Sequence, residues 1–189
     1  MDEEGMKHVT PSGKVIRIWD NLIPAELQSK FFAYAQASRF SLGWADSSSE
    51  AGARYRYMHC TLTGGEADGA GIYPYVKTTK IYEHLNGYVL DMSVINLSVP
   101  SDVNFFHTHY GQNLVLLYYA NPTWQSHWHG ETLFCDDHSS EIELAIKYTT
   151  GRLVLFDASL PHSIRPQSAA SDVYRFTYSM FFKKEKGTN

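Results

Sequence analysis

Asn104-Phe-Phe-His-Thr-His-Tyr-Gly-Gln-Asn-Leu-Val-Leu-Leu-Tyr-Tyr-Ala-Asn-Pro122 carries two readings side by side. Its second half, residues 114–120, is an apolar and aromatic run of strand length that stops at the turn signal Asn121-Pro122. Its first half places His107 and His109 two residues apart. Alternate residues of a strand share a face, so His107, His109 and Gly111 would point one way and Thr108 and Tyr110 the other. Two inward imidazoles must be satisfied, and a metal ion satisfies both. A third histidine, His162, follows Pro161 on a later run. For a single histidine a hydrogen bond is the simpler reading; for three, a metal is.

Outward from this stretch the pattern stays β-rich. Runs at 92–99, 103–109, 114–120, 131–135, 141–148, 152–156, 161–166 and 173–182 are separated by turn signals at Ser101-Asp102, Asn121-Pro122, Asp136-Asp137 and Thr150-Gly151. Eight short strands without intervening helices predict a mostly β sandwich or jelly roll. Upstream, residues 14–20 alternate as a strand, and Pro24 opens a helix to about Ser38 with Leu27, Phe31, Phe32 and Ala35 on one face. Residues 41–52 read as loop, and 54–62 as a strand with arginines and aromatics on opposite faces. Four glycines within 64–71 predict a mobile loop, since they lack the order and flanking elements of a phosphate cradle. Val76, Ile81 and Leu85 give 75–86 near-helical spacing, closed by Asn86-Gly87. These N-terminal helices are expected to pack on one outer face of the β core.

A chain of 189 residues predicts one domain, 1–189, with a sizeable core. Its 43% hydrophobic and 14% aromatic content excludes a disordered chain. A net charge of −4 without a basic stripe argues against a nucleic-acid polymer as partner. The charge run Lys183-Lys184-Glu185-Lys186 reads as a solvated tail. Cys60 and Cys135 show no motif spacing and suit buried, reduced thiols. The start, Met1-Asp-Glu-Glu-Gly5, is acidic where a signal peptide would be basic, and no apolar run approaches the roughly 18 residues of a bilayer span. Cytoplasmic location without membrane attachment is the expectation.

Six segments then fall in a recognisable order. They are the histidine motif at 107–111, Leu116-Leu-Tyr-Tyr-Ala-Asn121, Trp128-His-Gly-Glu-Thr-Leu-Phe134, Gly151-Arg-Leu-Val-Leu-Phe156, Pro161-His162-Ser163 and Tyr174-Arg-Phe-Thr177. Through them the stretch from about 92 to 182 resembles the prolyl-hydroxylase-type iron(II)/2-oxoglutarate oxygenases. The resemblance implies a double-stranded β-helix (jelly-roll) core at about 89–182, with iron(II) and 2-oxoglutarate as cofactors. It makes His162 the distal iron ligand and Arg175 the partner of the far carboxylate of 2-oxoglutarate, a role that suits a guanidinium fork. It also makes Tyr119, on the face of Val115 and Leu117, a residue that helps hold the cosubstrate. Glu131 falls at a position that does not bind iron in the family.

The chain departs from the family in its first ligand motif, which is normally His-x-Asp or His-x-Glu, part of a two-histidine, one-carboxylate set. Two registers fit. Either His107 is the first ligand and His109 stands in the carboxylate position, or His109 is first and Gly111 leaves that position vacant. His109 and His162 serve in both. In the Gly111 register a chloride ion would restore the lost negative charge, as in related radical halogenases, although water or an outer acid could also fill the gap. In the His107 register a neutral imidazole fills the position.

The expected activity is oxidation of a C–H bond of a small or peptidyl substrate, giving a hydroxylated product, succinate and carbon dioxide. The alternatives are a halogenase on the same scaffold and a non-catalytic, metal-binding cupin-like module. Arg54, Arg56 and Arg165 are candidates for an anionic substrate, and Trp124 and Trp128 for stacking at the mouth. Substrate choice is expected to reside in loops 41–52, 64–71 and 122–130, with 64–71 a possible lid. Oligomeric state is not legible.

Overall fold

The structure is a computed structural model that describes residues 4–46, 53–136 and 141–185. Eight strands form an antiparallel sheet: β1 (Met6–Val9), β2 (Val15–Trp19), β3 (Ser41–Trp44), β4 (Tyr57–Leu62), β5 (Tyr88–Ser98), β6 (Leu114–Tyr119), β9 (Leu153–Asp157) and β11 (Arg175–Lys184). Their spatial order is β1-β2-β9-β6-β11-β5-β4-β3. A second sheet contains β7 (Thr132–Cys135), β8 (Ile142–Ile146) and β10 (His162–Ile164), in the order β10-β7-β8. The two sheets enclose one apolar layer, which is the jelly-roll arrangement.

The period of two sorts each central strand between two environments. On β11, Arg175, Thr177, Ser179 and Phe181 face the space between the sheets, while Phe176, Tyr178, Met180 and Phe182 face the opposite side. On β6, Val115, Leu117 and Tyr119 face inward, and Leu116 and Tyr118 outward. Strands buried on both faces read as continuous apolar runs, as Leu-Val-Leu-Leu-Tyr-Tyr does. The helices cover the outer face. Helix α1 (Ala25–Ala37) starts after Pro24 and sets Phe31 edge-on to Tyr118, with centroids 5.4 Å apart.

Several local expectations are corrected. The glycine-rich 64–71 is not a loop: α2 (Gly64–Ala70) forms there and ends at left-handed Gly71. Thr63 and Glu66 cap it reciprocally, and Ala67 and Ala70 are buried in the helix-side core. It is therefore not a lid. The helix expected over 75–86 is two shorter pieces, α3 (Ile72–Val76) and a 3₁₀ helix at Lys80–Leu85, with Val76, Ile81 and Leu85 buried as expected. The loop expected at 41–52 begins as strand β3, and 47–52 lie outside the described residues. Of the run at 54–62 only Tyr57–Leu62 is strand, so Arg54 and Arg56 precede it. The 103–109 segment makes a single bridge, His107 to His162, and no strand. Asp137 and Lys186 also lie outside the described residues. Cys60 and Cys135 do not form a disulfide.

Candidate functional site

The His107 segment is held in place by main-chain hydrogen bonds rather than by strand alternation. His107 N–H donates to His162 O and His162 N–H to His107 O, both at 3.0 Å, while His109 N–H donates to Ala158 O at 2.8 Å. This two-sided clamp brings three imidazoles together. Their ring centroids are 5.0 Å apart for His107 and His109, 4.5 Å for His107 and His162, and 4.9 Å for His109 and His162. One ligand nitrogen from each lies within 4.8 Å of the others, and His109 Nε2 is 3.1 Å from His162 Nε2.

The outer ring nitrogens are occupied in matching ways. His107 Nδ1 is 3.0 Å from Phe105 O, and His162 Nδ1 is 3.0 Å from Leu160 O. A carbonyl accepts only from N–H, so both rings carry their proton on Nδ1 and turn the Nε2 lone pair inward. Burial, reinforced by the nearby His107, holds His109 down to about 3. His162 lies well below its ordinary range, first through burial and then through the two neighbouring histidines. Neutral imidazole is the form that binds a metal.

The histidines line a cavity of about 190 Å³. Arg175 lines its inner end and is 1% exposed. Its Nε–H donates to Gly130 O at 3.1 Å, yet Nη1 and Nη2 are buried without a hydrogen-bond partner among the described residues. The guanidinium lies over Tyr148 at 5.0 Å and Tyr119 at 5.7 Å. Burial lowers its pKa from the usual arginine value, opposed by the nearby Tyr148, Tyr119 and Glu131. Two orphaned donors on a buried cation are costly unless a ligand meets them, and a carboxylate matches the fork.

Other expected site residues fare differently. Tyr119 is buried on the inner face but does not line the cavity; its hydroxyl lies 2.6 Å from the hydroxyl of Thr132, which does. Gly111 does not line the cavity either: it is exposed, at φ +81, with nothing within 4 Å of a would-be Cβ. Of the two registers, the one inside the cavity therefore contains His107. Arg56 is exposed and donates to Gly43 O at 3.1 Å. Arg165 pairs with Glu131 at 3.7 Å. Trp128 is 6% exposed and packs edge-on against Trp124. None of these three, expected as substrate contacts, lines the cavity that holds the histidines. Trp124 is partly buried and packs against Tyr148 in a tilted arrangement, with centroids 4.3 Å apart.

The sequence reading missed the opposite wall. Trp44, Asp46 and Tyr57, from β3, the segment after it and β4, line the cavity together with Asn96, Asn104 and Thr108. A run read as loop gave no period from which to find them. Gly130 was quoted only as part of a motif; at φ +80 a Cβ would lie 3.2 Å from Arg175 Cδ and 3.1 Å from Trp124, so a side chain there would displace the guanidinium.

Residues 98–183 match the family model described as the 2OG-Fe(II) oxygenase superfamily. This stretch belongs to that superfamily. It spans the histidine cluster and Arg175. Membership implies iron(II) and 2-oxoglutarate as the groups such a site works with, and the donor set fits both. Three convergent lone pairs suit a divalent ion, and the unpartnered guanidinium suits the far end of a diacid.

Solved structures agree in fold. A prolyl hydroxylase from Trichoplax adhaerens, in complex with a hypoxia inducible factor oxygen degradation domain peptide fragment, has TM-score 0.66 at 18% identity, covering 89% of this chain and 83% of that one. A 2OG-Fe(II) oxygenase family oxidoreductase from Burkholderia pseudomallei has TM-score 0.68 at 10% identity, covering 92% and 88%. HygX from Streptomyces hygroscopicus, with nickel and 2-oxoglutarate bound, has TM-score 0.63 at 9% identity, covering 88% and 82%. No curated protein sequence matches the chain. Among the described residues, no helix is long and apolar enough to cross a membrane.

Proposed function

We propose that this chain, as one domain over 1–189, oxidises a C–H bond of a small-molecule or peptidyl substrate by hydroxylation, using iron(II) and 2-oxoglutarate. The observation that carries the reading is the pairing, across one cavity, of three convergent imidazoles with a buried arginine whose two terminal nitrogens lack partners. His107, His109 and His162 would hold the metal. Arg175 would bind the far carboxylate of 2-oxoglutarate, with Thr132 beside it and Tyr119 fixing Thr132 from behind. When bound, iron and cosubstrate would let dioxygen act as the oxidant, which draws one electron pair from 2-oxoglutarate, released as succinate and carbon dioxide, and one from the substrate C–H bond.

The chain itself supplies position and dryness. Val115, Leu117, Phe156, Ile164 and Phe181 wall the inner cavity and keep water from the reacting centre. The Nδ1 contacts to Phe105 O and Leu160 O hold two rings in the metal-binding tautomer. Substrate enters along Trp44, Tyr57, Asn104 and Thr108 on the other wall. The cysteines suit a reducing, cytoplasmic setting.

The test is conversion of 2-oxoglutarate to succinate by purified protein with iron(II) and dioxygen, with and without saturating chloride. Succinate formation that is lost in His162→Ala and unaffected by chloride supports the reading. Absence of succinate under every condition favours a non-catalytic metal-binding module. A chlorinated product would instead support halogenation.

A further inference from the structure

Asp46 is the only carboxylate among the described residues lining the cavity, just as Arg175 is the only fixed cation. It is held firmly. Phe105 N–H donates to Asp46 Oδ2 at 3.0 Å, and Asp46 Oδ1 lies 3.4 Å from His107 Nδ1. The Tyr57 hydroxyl donates to Val103 O at 2.6 Å, and its pKa is raised first by burial and then by the nearby Asp46 charge. The two side chains of the Asp46–His107 pair are only 14% and 18% exposed.

Orientation alone does not account for this arrangement. His162 has the same backbone support, its Nδ1 on the carbonyl two residues earlier, and no carboxylate among the described residues pairs with it. His107 has that carbonyl contact as well, at the same 3.0 Å, and Asp46 in addition. What Asp46 adds is negative charge, at the edge of an otherwise neutral set of three imidazoles. A set of two histidines and one carboxylate carries that charge in direct contact with the metal. A carboxylate beside a ligand histidine raises its basicity; here the Nδ1 proton goes to Phe105 O, so Asp46 acts through its charge at 3.4 Å.

We propose that Asp46 is a positioning residue for His107, returning from the outer side of the ring the negative charge that the three-histidine set lacks. This rests on the reading of His107, His109 and His162 as the iron set. Asp46 acts through His107 and does not bind the metal itself.

The test uses the whole chain, titrated anaerobically with iron(II) in the presence of 2-oxoglutarate, and reads iron affinity together with the metal-to-ligand charge-transfer band. Asp46→Asn keeps a carbonyl oxygen for the Phe105 N–H and removes the charge. It is expected to weaken iron binding about 10- to 100-fold and to move the band to shorter wavelength, because a less electron-rich iron gives up charge less readily. Asp46→Glu restores the charge and brings the band back toward its original position. Tyr57→Phe, which removes a neighbour of Asp46 but no charge, leaves the band where it was. A band unmoved in Asp46→Asn overturns the proposal, as does an equal shift in Tyr57→Phe. If the unaltered protein shows no band, the iron reading itself fails, which is a different result from a band that ignores Asp46.

Discussion

Arg175 shows how one residue can be unfavourable to the fold and necessary to the site. Its Nη1 and Nη2 are buried without partners among the described residues, and one hydrogen bond from Nε to Gly130 O does not compensate for that burial. A carboxylate reaching the fork would make two charge-assisted bonds, each worth roughly 1.5–3 kcal/mol. Arg175→Lys keeps the charge but loses the fork. It should weaken 2-oxoglutarate binding about 100-fold, measured by calorimetric titration. Gly130→Ala should act in the same direction through crowding, because its Cβ would press on Arg175 Cδ.

At the scale of elements, α2 is a helix of seven residues, GGEADGA, that sequence propensity would not predict. It exists because both ends are defined. Thr63 Oγ1 accepts from Glu66 N–H at 3.3 Å, Thr63 N–H donates to Glu66 Oε2 at 2.7 Å, and Gly71 closes the helix in the left-handed region. Thr63→Ala should therefore lower unfolding stability by about 1 kcal/mol, read by denaturant titration, while leaving metal binding unchanged.

That helix also marks where the sequence was legible and where it was not. Apolar runs of strand length placed β6, β9 and β11, and on β6 the period of two put Val115, Leu117 and Tyr119 on one face, since burial on a sheet leaves its trace in the chain. The motifs brought His109, His162 and Arg175 to one cavity. Two features left no such trace. The glycines of 64–71 disguised a helix whose stability comes from its caps and from Ala67 and Ala70 packing on the core. The His107 segment converges on His162 through main-chain hydrogen bonds, which have no sequence signature. Asp46 was missed for the same reason: its partners His107 and Phe105 are about sixty residues away, and only the folded chain brings them near. The exposed arginines carry no trace of their role, because a charge on an irregular segment looks the same whether it faces solvent or substrate.

For the whole molecule, the two cores divide the work. Phe31, Tyr118, Tyr178 and Phe182 pack the helices on the outer face of the large sheet, and the inner layer carries the cavity with its three imidazoles. The inner layer gives the metal-free protein a defined response to acid. His109 is held to about 3 in the folded chain, below the 6.5 of a free imidazole, so as pH falls the unfolded chain takes up protons first. His162 shifts in the same direction. The stability these neutral rings contribute is complete above about pH 6.5 and is lost progressively toward pH 3. By pH 5 the loss from His109 alone should be about 2 kcal/mol, measured as a fall in the unfolding midpoint of metal-free protein. His109→Gln, which has no proton to gain, should flatten that dependence.

The claim on which the rest depends is that three imidazoles share one iron. Anomalous diffraction at the iron absorption edge, from crystals grown anaerobically with iron(II) and 2-oxoglutarate, tests it most directly. A single peak bonded to ring nitrogens of His107, His109 and His162, with a carboxylate of the cosubstrate on the Arg175 fork, is the predicted result. An iron that leaves His107 unbound, or no iron among these rings, would contradict it.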